Sequence, residues 1–288
     1  MKKLYFVKMH GTGNDFVLIN NDDLEKSEII LTKKLIKNMC CRHFGIGSDG
    51  VLVVSKGKKV AFKYVMYNTD GSQAEMCGNG IRCYMKYLLD KGLIGDKNID
   101  VETDIGIYNL SIDNNTVTVD MGKPSRIKNL IYKSKNLGDR FPLKIDNDEF
   151  IFTPVSMGNP HAVIFCRDSN ILCELLEKLD IHKYGKKIEN HTDIFPNKTN
   201  VEFVKIKSEK EIMMRVWERG VGETLSCGTG ACAAVVAGIL AGKLLKDKFI
   251  KVDLPGGILE VKWSGNLSDS VIMRGDAVKV FDGYYYIY

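Results

Sequence analysis

An internal duplication runs through the 288-residue chain and limits the folds that it can adopt. An offset of 150 residues places Cys77 on Cys227, and each cysteine opens a Cys-Gly-x-Gly sequence. Closer to the start of the chain the offset falls to 145 residues, where Asn14 meets Asn159. A repeat of this length is far longer than a solenoid period, so it predicts two duplicated domains related by an approximate two-fold axis.

Local patterns predict short strands and few helices. Alternating apolar residues precede each cysteine and predict a strand: Phe62, Tyr64 and Met66 in the first copy, Ile212, Met214 and Val216 in the second. After each Cys-Gly-x-Gly the spacing becomes helical, so both cysteines are expected at helix N-termini. Further strands are predicted at 117–121 and 259–263, and helices at 32–41 and 171–179. The predicted fold class is α+β.

Composition excludes several classes of function. The net charge of +5 comes from 41 basic and 36 acidic residues without a strong basic cluster, so no nucleic-acid partner is expected. No segment is long and apolar enough to predict a signal peptide or a membrane span, and the chain is expected to be cytoplasmic. The eight cysteines lack paired Cys-x-x-Cys elements, so they are expected to be thiols that bind no metal.

Two cysteines at helix N-termini suggest acid–base chemistry. Unpaired backbone N–H groups and the positive end of the helix dipole favour a thiolate, so both thiols are expected to be acidic. If Cys77 and Cys227 face each other across a cleft, one removes a proton from a tetrahedral carbon while the other protonates the opposite face. This device inverts the carbon.

The glycines beside these cysteines suggest how a substrate carboxylate is held. Without side chains, Gly78, Gly80, Gly228 and Gly230 allow an anion to approach the backbone N–H groups of both helices. These donors stabilise the negative charge that develops when an α-proton is removed. No lysine stands out as a Schiff-base candidate, so no cofactor is expected.

Six motifs in order give the chain a family resemblance. They are Gly11-Thr12-Gly13-Asn14-Asp15-Phe16, Asn68-Thr69-Asp70-Gly71-Ser72, Glu75 to Cys83, Gly158-Asn159-Pro160-His161, Thr199-Asn200-Val201-Glu202-Phe203 and Glu218 to Ala231. Together they resemble the diaminopimelate epimerase family over nearly the whole chain. A lone Cys-Gly-x-Gly is less specific, since proline racemase-like proteins carry an altered form of it.

The resemblance implies two pseudo-symmetric domains, each a mixed, mainly antiparallel sheet around a central helix, with the active site in the cleft between them. The domains are expected to comprise residues 1–122 with about 275–288, and residues 123–274. The implied reaction interconverts LL- and meso-2,6-diaminopimelate for lysine and peptidoglycan synthesis. The expected substrate is this small molecule, and a homodimer is a possible assembly.

The resemblance also assigns roles to residues. Cys77 and Cys227 match the acid–base pair, and the backbone amides of Gly78, Asn79, Gly228 and Thr229 match those that hold the reacting carboxylate. Further positions match substrate contacts: Asn14, Asn68, Asn159, Asn200, Glu218 for the amine and Arg219 for the distal carboxylate. His161 is a supporting candidate that could orient or tune a thiol. Gly50 departs from the pattern, because some family members carry a polar side chain there.

Two alternative functions remain open from the sequence. A proline or hydroxyproline racemase-like enzyme would keep both cysteines but would lack a polar distal pocket such as Asn68, Asn200 and Arg219 provide. A thiol redox or binding protein would use Cys77 and Cys227 as a reversible disulfide.

Overall fold

The structure is a computed structural model that describes residues 1–127, 130, 132, 135–168 and 173–287. It is an α+β fold with mixed sheet, few helices and two repeated halves. The chain divides into two compact units, Met1–Val119 with Gly275–Tyr288, and Asp120–Arg274. Among the described residues, no helix has the length and apolar character needed to cross a membrane.

Short strands make up most of the regular structure. In chain order they are β1 (Lys2–Gly11), β2 (Asn14–Asn20), β3 (Gly50–Lys56), β4 (Phe62–Asn68), β5 (Gln73–Ala74), β6 (Asn98–Thr103), β7 (Gly106–Asp113), β8 (Thr116–Asp120), β9 (Phe141–Ile145), β10 (Asp148–Ser156), β11 (Pro160–Phe165), β12 (Asn200–Ser208), β13 (Glu211–Glu218), β14 (Gly222–Thr224), β15 (Ile250–Leu254), β16 (Gly257–Lys262), β17 (Ile272–Asp276) and β18 (Val278–Ile287). The α-helices are α1 (Asn21–Lys26), α2 (Lys33–Cys40), α3 (Gly78–Asp90), α4 (Ile181–Glu189) and α5 (Gly228–Leu240). Short 3₁₀ helices span Cys166–Asp168 and Cys173–Lys178.

The first unit contains a mixed sheet in the order β18-β1-β2-β3-β4-β6-β7-β8. Its neighbouring strands are antiparallel except for two parallel pairs, β2 with β3 and β4 with β6. The short strand β5 also pairs with β4. Helix α3 packs against β1, β2 and β7 and buries most of its residues.

The second unit repeats this plan. Its strand order is β9-β10-β11-β12-β13-β15-β16-β17, and its two parallel pairs, β11 with β12 and β13 with β15, stand at the same places in the order. Helix α5 packs against β10, β11, β12 and β16. It is apolar on all sides, as expected for a helix surrounded by its own sheet. The predicted duplication is therefore confirmed strand by strand.

Several predicted elements are confirmed with shifted ends. The predicted helix at 32–41 is α2, whose Thr32 side chain accepts a hydrogen bond from Leu35 N at 3.2 Å. The predicted strands at 117–121 and 259–263 correspond to β8 and β16. The predicted helix at 171–179 is only a 3₁₀ helix at Cys173–Lys178, and residues 171 and 172 lie outside the described part of the chain.

Sequence patterns missed α1 and α4. Helix α4 has Gly185 near its centre, and glycine lowers helix propensity by about 1 kcal/mol relative to alanine. A Cβ at Gly185 would lie 2.5 Å from Trp217 Cβ, so packing against β13 requires glycine there. Tertiary packing overrides the local propensity.

Candidate active site

Equivalent strand–turn–helix segments place Cys77 and Cys227. Each cysteine is the N-cap of the helix that follows it, α3 or α5, as the sequence predicts. Their backbone dihedrals nearly coincide, with φ −125° and ψ 125° at Cys77 and φ −127° and ψ 113° at Cys227. Each cysteine residue therefore lies at a helix start with unpaired N–H groups.

A side chain at the third residue of either helix would crowd a buried neighbouring side chain. A Cβ at Gly80 would lie 2.6 Å from Tyr64 Oη, and a Cβ at Gly230 would lie 2.8 Å from Glu202 Oε1. The sequence analysis predicted that these glycines allow a substrate carboxylate to approach the backbone. In the structure both are already in close contact with buried protein side chains.

In the first unit, the Cys77 thiol contacts an asparagine amide. Cys77 Sγ donates to Asn14 Oδ1 at 3.4 Å, and Asn79 Nδ2 donates to the same oxygen at 3.4 Å. The side chain of Asn14 is oriented from its other end, because its Nδ2 donates to Asp49 Oδ2 at 2.8 Å. The structure thus brings together three sequence-predicted site residues, Asn14, Cys77 and Asn79.

A charged network supports Asn14. Arg42 donates to both carboxylate oxygens of Asp15, at 3.0 and 2.8 Å, and to Asp49 Oδ1 at 2.7 Å. Lys8 completes the network through a 2.6 Å ion pair with Asp15. Burial alone would raise the pKa of Asp15, but hydrogen bonds from Arg42 and Lys8 outweigh it and hold that pKa well below its usual range.

Asn79 is held by a buried arginine for which the sequence analysis predicted no role. Arg82 has no exposed surface, and its Nη1 donates to Asn79 Oδ1 at 2.9 Å and to Gly78 O at 3.2 Å. Its Nη2 donates to Thr12 Oγ1 at 3.1 Å. The available signal was the position of Arg82 one helical turn after Gly78.

Asn68 lies at the end of β4, where it is part of a turn. Its Nδ2 donates to Ser72 Oγ at 3.0 Å, and its backbone N–H donates to Ser72 O at 2.8 Å. The structure gives Asn68 a turn role and leaves its substrate contact as a prediction.

The pKa of Cys227 contradicts the expectation of an acidic thiol. Gly230 N donates to Cys227 Sγ at 3.4 Å, and Thr229 Oγ1 lies 3.5 Å from the same sulfur. These two contacts lower the pKa of Cys227. Burial raises it more strongly, and the nearby carboxyl groups of Glu218 and Glu202 raise it further, so the pKa of Cys227 lies well above its ordinary value. The helix start is outweighed because the sulfur is desolvated and faces acidic groups.

Glu218 is one of these acidic groups. Thr224 Oγ1 donates to Glu218 Oε1 at 2.5 Å, and Glu218 is hydrogen-bonded to Cys227 as well. Burial raises the pKa of Glu218, although the hydrogen bonds from Thr224 and Cys227 oppose the effect. The repeat partner of Glu218 is the uncharged Asn68, so the acidic environment is a property of the second unit.

His161 is fully buried in a chain of hydrogen bonds. Its Nδ1 lies 2.6 Å from Glu202 Oε1, and its Nε2 lies 2.9 Å from Asn159 Oδ1. Asn159 Nδ2 in turn donates to Thr229 Oγ1 at 3.3 Å. The structure therefore joins Asn159, His161 and Thr229. It adds Glu202, for which the sequence analysis predicted no role.

Asn200 and Arg219 form a separate group. Asn200 Nδ2 donates to Pro160 O at 2.8 Å, and its Oδ1 accepts from Arg219 N at 2.9 Å. Arg219 Nη1 donates to Asn197 O at 3.1 Å. The Asn200 side chain thus joins the backbone at Pro160 to the backbone at Arg219. In the first unit its repeat partner is Gly50, where a Cβ would lie 2.7 Å from Tyr67 O.

Comparisons with known proteins identify the family. The family model for diaminopimelate epimerase matches residues 6–127 and 153–280. The chain belongs to the diaminopimelate epimerase family. Two curated members, from Halothermothrix orenii and Desulfitobacterium hafniense, are each 44% identical to it, covering 98% and 96% of this chain and 97% and 96% of their own lengths. The chain is therefore an isomerase of the epimerase type.

Solved structures share the fold of this family member at low sequence identity. A PhzF-family phenazine biosynthesis protein from Bacillus anthracis has a TM-score of 0.70 and 14% identity, with 100% of each chain covered. A hydroxyproline epimerase from Agrobacterium vitis has a TM-score of 0.69 and 13% identity, covering 99% of this chain and 93% of its own. At these identities the likeness shows the fold alone.

Proposed function

We propose that the protein interconverts LL- and meso-2,6-diaminopimelate without a cofactor, using Cys77 and Cys227 as its acid–base pair. The observation that carries this proposal is the matched backbone conformation of two N-cap cysteines in duplicated segments. Relatives at 44% identity that bear the name diaminopimelate epimerase support the choice of substrate.

In the proposed reaction one thiolate removes the α-proton while the other thiol donates a proton from the opposite side. This requires the two sulfurs to flank one carbon. The reacting carboxylate accepts hydrogen bonds from the backbone amides of Gly78, Asn79, Gly228 and Thr229. These donors stabilise the planar, negatively charged intermediate more than the ground state.

The distal half of the substrate needs paired donors and acceptors, because it carries an ammonium and a carboxylate. We assign the distal carboxylate to Arg219 and the amine to Glu218. Asn14, Asn68, Asn159 and Asn200 complete the proposed set of substrate contacts. His161 acts behind Asn159, and its hydrogen bond to Asn159 Oδ1 supports that role.

The two cysteines have different proposed resting states. Burial and the carboxyl groups of Glu218 and Glu202 raise the pKa of Cys227, which favours the neutral thiol in the free enzyme. We infer that Cys227 begins as the acid and that Cys77 begins as the base. When Cys227 must act as the base, hydrogen bonds from Gly230 N and Thr229 oppose its high pKa.

The wider biological role is also a proposal. We place the reaction in lysine and peptidoglycan synthesis in the cytoplasm, by a protein that forms a homodimer. No nucleic-acid partner and no metal are part of the mechanism.

A substrate comparison tests this function. Purified protein in excess reductant should convert LL-diaminopimelate to the meso epimer and should not racemise proline or hydroxyproline. Turnover that disappears when reductant is present would favour a thiol redox protein. Preferential racemisation of hydroxyproline would show that the distal assignments to Arg219 and Glu218 are wrong.

A further inference from the structure

The two units differ at one buried pair of positions. Strand register makes Phe16 equivalent to His161, because Phe16 lies opposite Gly50 and His161 lies opposite Asn200, the repeat partner of Gly50. Leu52 and Glu202 lie two residues after Gly50 and Asn200, so they are equivalent by the 150-residue offset.

All four residues are fully buried. Their strands pack against α3 in the first unit and against α5 in the second. A Cβ at Gly80 would lie 3.4 Å from Leu52 Cδ2 and 3.4 Å from Phe16 Cζ. At the equivalent Gly230 it would lie 2.8 Å from Glu202 Oε1. An apolar pair therefore packs this space in the first unit, so packing alone does not require the polar pair of the second.

The orientation of the Asn159 amide assigns the protons of the polar pair. Asn159 uses its Nδ2 to donate to Thr229 Oγ1, so its Oδ1 faces His161 Nε2. Because a carbonyl oxygen only accepts, this orientation of Asn159 requires a hydrogen on Nε2. Glu202 meets Nδ1 at 2.6 Å, either by accepting from an imidazolium or by donating from its carboxyl group.

The same chain ends at the sulfur of Cys227. Since Thr229 Oγ1 accepts a hydrogen bond from Asn159, its own hydrogen is available to Cys227 Sγ at 3.5 Å. Each link therefore depends on the orientation of the one before it. The other oxygen of Glu202, Oε2, is buried and has no hydrogen-bond partner among the described residues. Within that part of the chain, the carboxyl group is therefore hydrogen-bonded through Oε1 to His161.

We propose that Glu202 is a positioning residue that fixes the Asn159 amide through His161, so that the hydrogen-bond donors of the chain point toward Cys227. This inference rests on the proposed epimerase function. A side chain at 202 that can donate to Nδ1 preserves the orientation, and an apolar side chain destroys it. Glutamine can donate through its amide, whereas leucine cannot.

Three variants separate positioning from packing. Glu202→Gln should keep kcat within about threefold of wild type, while Glu202→Leu should lower kcat by about tenfold or more with a smaller change in KM, because a poorly oriented group slows the chemical step. Glu202→Leu combined with His161→Phe copies the buried pair Phe16 and Leu52 into the second unit. It should fold with a Tm near wild type and still lack wild-type kcat.

Nitrogen-15 NMR of the histidine side chains gives a readout that does not depend on turnover. The His161 signal, assigned by its loss in His161→Phe, should show a protonated Nε2 in the wild type and in Glu202→Gln. A wild-type His161 with bare Nε2, or wild-type kcat in the double variant, would overturn the proposal. If the wild type fails to epimerise diaminopimelate at all, the proposed function fails while the NMR result still decides the role of Glu202.

Discussion

Replacing Gly80 by alanine should destabilise the protein by crowding the start of the Cys77 helix. The added Cβ would lie 2.6 Å from Tyr64 Oη, about 1 Å closer than a favourable contact. Tyr64 cannot move away easily, because it is buried and its hydroxyl donates to Met66 Sδ at 3.2 Å. Overpacking of this kind costs about 1–3 kcal/mol.

Helix propensity offsets part of this cost. Alanine is favoured over glycine by at most about 1 kcal/mol within a helix. Because Tyr64 is buried and its hydroxyl is held, the overpacking cost should lie in the upper part of its range, about 2–3 kcal/mol. The net loss in unfolding free energy should then be about 1–2 kcal/mol, or a fall in Tm of roughly 2–8 °C for a chain of this size. Because the crowded helix begins at Cys77, kcat/KM should also fall, by about tenfold or more.

Gly95→Ala is the matched control. A Cβ at Gly95 would meet no atom within 4 Å, so this variant should keep wild-type stability and activity. Urea unfolding and calorimetry of the three proteins measure the difference. Equal stability of Gly80→Ala and Gly95→Ala would refute the argument that Tyr64 makes Gly80 necessary.

Three further predictions follow from other contacts. Glu218→Asn, which copies the repeat partner Asn68, should lower the pKa of Cys227. Peptide-resolved alkylation of Cys227 should then begin at lower pH, while the pH profile of the control, Cys41, stays the same. An unchanged Cys227 profile would count against the effect of Glu218. Arg219→Lys should lower kcat/KM for diaminopimelate by about 100-fold, because the proposed bidentate contact with the distal carboxylate is lost. The control Arg274→Lys, which alters an ion pair with Glu260, should leave kcat/KM unchanged. Comparable losses in both variants would contradict the proposed role of Arg219. The depressed pKa of Asp15 contributes stability that is present above its unfolded pKa of about 3.9 and is lost as pH falls below it. In urea titrations at acid pH, the unfolding free energy should therefore decline less for Asp15→Asn than for wild type. Parallel declines would contradict this linkage.

The duplicated plan could be predicted because both halves of this single sequence keep the same cysteine and the same change from strand to helix pattern. Both cysteines lie where a strand pattern changes to a helical one, and both are helix N-caps in the structure. Helix α4 escaped prediction because Gly185, required by its contact with Trp217, weakens the local helical signal.

The chemistry of the site was less predictable than its position. The expectation of an acidic Cys227 considered only the helix start, whereas burial and two carboxyl groups determine the direction of its pKa. Glu202 contacts His161, which is distant in sequence, so this contact does not follow from a motif. Arg82 lies within one helical turn of Gly78 and Asn79, but its contact with Thr12 joins distant parts of the sequence. Such contacts depend on the tertiary structure of each unit.

The most direct test of the two-thiol mechanism is solvent deuterium incorporation by reduced protein, measured during the first turnovers of LL-diaminopimelate. Two opposed thiols should place deuterium at the inverted carbon of the meso product, while recovered substrate keeps its original hydrogen. Cys77→Ala and Cys227→Ala should each abolish conversion. Deuterium appearing equally fast in recovered substrate and product, or near wild-type conversion by either variant, would contradict the mechanism.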